Sequence, residues 1–75
     1  MRKVTAMRQK IGEKIREARK AAGMNQGQLA ERLGMPQSQV SDWERGEVMP
    51  SVPSLVKLAP ALKIDVSLLI DCLIG

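Results

Sequence analysis

The chain has no histidine, tyrosine or phenylalanine, and only one cysteine, Cys72. A lone cysteine excludes an internal disulfide, and the lack of histidine removes the ordinary zinc sites and the commonest general base. Trp43 is the single aromatic residue, so the core must be built from Leu, Ile, Val, Met and Ala, which favours packed helices over a sheet. No apolar run approaches the ~18 residues of a membrane span, and the start, Met1-Arg2-Lys3-Val4, lacks the apolar stretch of a signal peptide. The expectation is a protein of the reducing cytoplasm, with no membrane association, metal or cofactor. An enzyme is the least expected class, because no phosphate-cradling glycine loop and no pair of acids suited to a pocket is present.

What the chain does have is 44% hydrophobic and 27% charged residues in a length of 75, the mix of one small folded domain. Its net charge of +4 is unevenly placed: residues 1–32 hold nine basic residues against three acidic, residues 33–75 three against five. A sequence pI near 9.7 with that asymmetry points to a polyanion, nucleic acid before a membrane surface. Residues 1–6 are expected as a basic N-terminal arm and residues 7–75 as a single domain.

Apolar spacing is helical almost throughout. Met7, Ile11, Ile15, Ala18 and Ala22 share one stripe of a first helix, which Gly23 stops. On its outer face Glu13 with Arg16 and Glu17 with Lys20 are spaced to pair. Asn25 offers an N-cap to a second helix with Leu29, Ala30 and Leu33 inside and Gly34 at its end. Pro36 suits the start of a third helix, Gln37 to Arg45, with Val40 and Trp43 inward. A loop, Glu47 to Pro53, precedes a fourth helix capped by Ser51 and carrying Val52, Leu55, Leu58, Ala59 and Leu62 inward. Pro60 should kink or shorten it. Asp65 caps a short fifth helix, Val66 to about Cys72.

Two short helices joined through Gly34 carry the most informative pattern. Ala30 is small enough for the point where they cross, and Leu29, Leu33, Met35, Val40 and Trp43 fix the angle. The segments Asn25-Gln26-Gly27-Gln28-Leu29-Ala30-Glu31-Arg32-Leu33-Gly34 and Gln37-Ser38-Gln39-Val40-Ser41-Asp42-Trp43-Glu44-Arg45-Gly46 resemble the helix-turn-helix of the lambda-repressor-like family, the phage repressor and Cro type of DNA-binding domain. The likeness extends from Ile11, Ile15 and Arg19 to Pro50, Leu55, Leu58, Ala59, Leu62 and Leu69, about Met7 to Asp71.

The resemblance implies an all-α, five-helix domain whose third helix lies in the major groove of double-stranded DNA. Gln37, Ser38 and Asp42, flanked by Gln39 and Ser41, are the expected base-reading residues. Asn25, Gln26, Arg45, Arg8 and Lys10 are the expected phosphate contacts, Gln26 because the family's matching glutamine grips a phosphate and braces the recognition helix. Arg2, Lys3 and Arg32 are further basic candidates. Arg19 and Glu44 match a structural ion pair between the first helix and the end of the third. Glu47 stands where the family often has a basic residue, Pro36 where it has Ser or Thr, and Lys63 where a glycine is expected. Gly27 is either a close-approach point for DNA or a tolerated defect.

Such readers generally act as two-fold dimers on pseudo-palindromic operators. Leu68, Leu73 and Ile74 form a C-terminal apolar patch expected to serve as the dimer interface. A repressor of transcription is the first reading. An antitoxin-type protein that binds a toxin and regulates its own operon, or a helical interaction module without DNA, stay open as alternatives.

Overall fold

The stripe through Ile11, Ile15 and Ala18 becomes one long helix, α1 (Lys3–Ala21), with all three residues buried. In the computed structural model, which describes the backbone of residues 3–74 and the side chains of residues 6–73, four shorter helices follow. These are α2 (Gln26–Leu33), α3 (Gln37–Glu44), α4 (Val52–Leu62) and α5 (Val66–Ile74). Residues 3–6, expected as part of an arm, are the first turn of α1. Arg2 lies outside the described residues.

α2 and α4 begin at side-chain caps, whereas α3 follows Pro36 without one. Asn25 accepts from the Gln28 amide at 2.8 Å while the Gln28 side chain accepts from the Asn25 amide at 2.8 Å, a reciprocal capping box. Ser51 accepts from the Ser54 amide at 3.3 Å. Gly34 ends α2 in the left-handed region, and its amide and that of Met35 cover the last carbonyls. Lys63 closes α4 the same way at φ 59°, a conformation that disfavours a side chain. α4 runs two residues past Pro60 before that closure. Val56 and Pro60 are both exposed, so the carbonyl deprived of its helical donor lies on the solvent side.

The core is one cluster drawn from all five helices, including Ile11, Ile15, Leu29, Val40, Trp43, Leu55, Leu58 and Leu69. Burying each of these large side chains contributes roughly 1.5–3 kcal/mol. α1 packs across α3 and α5, α2 across α3 and α4, and α4 against α5. That arrangement holds α3 against the body by Val40 and Trp43 and turns its polar side outward. Two expectations are corrected. Val52 is not part of the α4 stripe but 67% exposed, because it is the first residue of the helix and precedes the turn that meets the core. The surface pair on α1 is Lys14 with Glu17, at 3.9 Å, and neither of the two expected pairs is formed.

Candidate nucleic-acid interface

The N-terminus of α2 and the outer side of α3 are joined by a chain of polar side chains that starts in the interior. Arg19 of α1, 8% exposed, donates through Nε and Nη2 to the two carboxylate oxygens of Glu44 at 2.6 and 3.0 Å, and through Nη1 to the Met24 carbonyl at 2.8 Å. This fork-to-carboxylate geometry suits arginine and not lysine. The hydrogen bond that Arg19 donates to Glu44, aided by the attraction of that carboxylate, outweighs burial and raises the Arg19 pKa above its ordinary value. Loss of one partner would strand the other at a cost of about 3–5 kcal/mol.

Glu44 can only accept, so it dictates the amide orientation beyond it. Gln26 turns its Nε2 to Glu44 Oε1 at 3.0 Å. Its carbonyl oxygen is thereby left facing α3, where it accepts from Gln37 Nε2 at 3.4 Å. Gln37 in turn keeps Oε1 and one N–H free on the exposed side. This donor and acceptor pair is what a glutamine needs to bind adenine at N6 and N7. A buried ion pair thus orients two surface glutamines from opposite sides of the turn.

Ser38 is exposed beside Gln37, and Gln39 and Ser41 are half-buried on either side. Asp42 lies one turn beyond Ser38 and is bound by Arg45 Nη2 at 2.6 Å. Gly27 adjoins Gln37: a Cβ there would sit 3.5 Å from Gln37 Oε1, an ordinary contact, so the glycine relieves no clash.

The five expected phosphate residues occupy different situations. Gln26 is braced as described, and Lys10 is exposed on α1. Arg8 donates Nε to the Gly46 carbonyl at 3.2 Å, tying α1 to the residues after α3. Asn25 caps α2, its side-chain oxygen accepting from the Gln28 amide while the side chain stays exposed. Arg45 makes its contacts within the chain. Its guanidinium is held by Ser41, Asp42 and Glu47, and the Glu47 hydrogen bond, followed by the attraction of that carboxylate, raises its pKa. Of the expected dimer residues, Leu68 is exposed, Leu73 is half-buried against the core, and the Ile74 side chain lies outside the described residues.

Two contributors escaped the sequence reading. Gly12 brings the backbone of α1 against the Trp43 and Glu44 carbonyls, and so sets the height of α3 on the body. A glycine inside a helical stripe was the available signal. Gln28 completes the capping box, and its spacing from Asn25 could have shown it. Among the described residues no group of acidic or cysteine side chains is placed to hold a metal ion, and no helix is long and apolar enough to cross a membrane.

Comparison with known proteins places this geometry. The sequence model of the Helix-turn-helix family matches residues 15–69. The chain is 37% identical over 57 residues to the cryptic phage CTXphi transcriptional repressor RstR of Vibrio cholerae, covering 76% of this chain and 51% of that protein. It is 41% identical over 58 residues to the uncharacterized HTH-type transcriptional regulator y4dL of Sinorhizobium fredii, covering 77% of this chain and 30% of that one. The chain thus spans about half or less of the length of these curated relatives. Among solved structures, the restriction-modification controller protein C.AhdI of Aeromonas hydrophila superposes with a TM-score of 0.78 at 39% identity, covering 83% of this chain and 94% of that one. With matching sequence, five-helix architecture and a braced third helix, the chain belongs to the lambda-repressor-like helix-turn-helix family of DNA-binding transcription regulators.

Proposed function

We propose that this chain binds double-stranded DNA sequence-specifically, with α3 in the major groove, and acts as a non-enzymatic repressor of transcription in the cytoplasm. The observation that carries this reading is the Arg19–Glu44–Gln26–Gln37 chain, which presents a glutamine in fixed orientation at the groove-entering end of α3. Gln37, Ser38 and Asp42 are its base-reading residues, with Gln39 and Ser41 beside them. Gln26, Arg8 and Lys10 lie with the basic half of the chain and serve the backbone. The repressor RstR among the relatives supports repression over activation.

Exposed apolar side chains on α4 and α5, Val52, Val56, Leu68 and Ile70, favour a second copy of the chain as partner on a pseudo-palindromic operator. A toxin as partner has no comparable support.

The test separates reading from gripping. After selection of a preferred duplex from a random pool, Gln37→Ala is expected to cost about 1–3 kcal/mol on that duplex and little on random DNA. Gln26→Ala should weaken both, since it loses the brace and the backbone contact together. Affinity should also fall with salt at a log–log slope of about 0.9 per phosphate neutralised. A salt-independent affinity would remove DNA as the ligand.

A further inference from the structure

We propose that Arg45 is a positioning residue which, held along its Nε–Nη2 edge by Glu47, fixes Asp42 as the acceptor for a cytosine in the major groove. This rests on the reading above, in which α3 enters that groove, and it adds a named base and a device for reading it. Arg45 follows the last residue of α3, at the C-terminal end of the exposed side that carries Ser38, Ser41 and Asp42. Its Nη1 donates to Ser41 Oγ, its Nη2 to Asp42 Oδ1 at 2.6 Å and to Glu47 Oε1 at 3.2 Å, and its Nε to Glu47 Oε2 at 3.3 Å. Four of the five guanidinium N–H groups are thereby engaged. A phosphate that took both N–H groups of the Nε–Nη2 edge would have to displace the Glu47 carboxylate.

The consequences fall on Asp42. A free carboxylate on a face that meets DNA is repelled by the phosphates, and the Arg45 guanidinium offsets part of that repulsion, although it is shared with Glu47 and the cluster of the three side chains stays net negative. One oxygen is occupied by Arg45, which also limits rotation of the side chain. The other, Oδ2, keeps its lone pairs and faces only a donor with profit. In the major groove the exocyclic N4 amine of cytosine is such a donor, while the O6 and N7 of guanine and the O4 of thymine are acceptors that a carboxylate rejects. Adenine offers a donor at N6 but pairs it with an acceptor at N7, against which the carboxylate has nothing to give. Ser41, accepting from Arg45, has its own proton free to donate outward.

Glu47 is the part of the device that has no role in a phosphate contact. The chain turns back after α3 through a hydrogen bond from the Glu47 amide to the Asp42 carbonyl at 3.0 Å, and this return sets the Glu47 carboxylate along the Nε–Nη2 edge of the guanidinium, beside Asp42, which takes the other N–H of Nη2. A residue there that attracts Arg45 away from phosphate and toward the protein makes sense if Arg45 works on Asp42.

The experiment selects bound duplexes from a random pool with the unmutated chain, Asp42→Ala, Arg45→Ala, Arg45→Lys and Glu47→Gln, and measures the salt dependence of each on the preferred duplex. The unmutated chain is expected to require a cytosine–guanine pair at one position with about tenfold discrimination. Asp42→Ala and Arg45→Ala should both lose that preference while the position read by Gln37 keeps its own. Arg45→Lys, with the charge but not the fork, should restore affinity without restoring the preference. Glu47→Gln should weaken it. The salt slope of Arg45→Ala should stay within a few tenths of that of the unmutated chain, and in the absence of Asp42 the same substitution should have no further effect on selection. If Arg45→Ala keeps the cytosine and lowers the slope by about 0.9, Arg45 is a phosphate contact and the inference is wrong. If the unmutated chain selects a duplex by Gln37 but shows no cytosine requirement linked to Asp42, the inference fails and the DNA reading stands. If it selects no duplex at all, both fail.

Discussion

Gly12 shows how one absent methyl group shapes the recognition surface. A Cβ at this position would lie 3.0 Å from the Glu44 carbonyl oxygen and closer still to that of Trp43, and both belong to the last turn of α3. Backbone carbonyls cannot rotate aside as a side-chain end would, so α1 and α3 would have to separate. Alanine is otherwise the better helix former by about 1 kcal/mol. Gly12→Ala is nonetheless expected to lower stability by about 1–3 kcal/mol in urea unfolding, and unchanged or raised stability would show that the two helices part easily. The glycine was visible in the sequence, but its reason was not, since the carbonyls that demand it come from residues more than thirty positions away. The pair Arg19 and Glu44 was legible only through resemblance, because spacing alone gives no sign that residues 25 apart meet.

At the scale of elements, the weak joint lies between α4 and α5. Lys63 holds a left-handed conformation there that the sequence had marked by the lack of an expected glycine. Lys63→Gly should stabilise the chain by about 0.5–1 kcal/mol, the relief of strain exceeding the added freedom of the unfolded glycine, and a fall in melting temperature would contradict it. Asp65 begins α5 by accepting from the Ser67 amide at 3.0 Å, and the backbone hydrogen bond, with that of the Ser67 side chain, holds its carboxyl below the usual 3.8. A depressed folded pKa means that Asp65 contributes fully above that ordinary value and loses its contribution as pH falls through the lower one. Stability measured from pH 5 downward should therefore fall less steeply in Asp65→Asn than in the unmutated chain. Equal slopes would show that the cap carries no charge effect. Both caps were legible because a cap is a local matter, settled within three residues of itself.

For the whole molecule the open question is what covers its exposed apolar side chains. Val52 and Val56, 67% and 58% exposed, line one side of α4, and Leu68 and Ile70, at 45% and 41%, stand on α5. A domain this small gains from burying such surface, and a two-fold axis would let each copy cover the other while setting the spacing of two recognition helices. Leu68→Lys is expected to leave the unfolding transition intact, shift the protein to monomer in sedimentation, and weaken binding to a two-half-site duplex far more than to a single half-site. An unmutated chain that sediments as a monomer at high micromolar concentration and stays single on DNA would exclude the dimer.

The sequence by itself determined the five helices, most of their ends and the apolar core, because helical period, caps and stop residues act over one or two turns and leave their mark in spacing. It also marked Gln37 and Gln26 through resemblance to a family. Only the tertiary structure decided how the polar residues are shared out: Glu44 orients Gln26 from 18 positions away, Arg8 reaches Gly46 across 38, and Leu73 turns to the core. Arg45 is the instructive case. Its rivals Ser41, Asp42 and Glu47 are all near in sequence, yet a phosphate contact and an internal clamp have the same spacing. What separates them is the direction in which the chain leaves α3, which follows from the packing of α3 on α1 and α2 and not from any local rule.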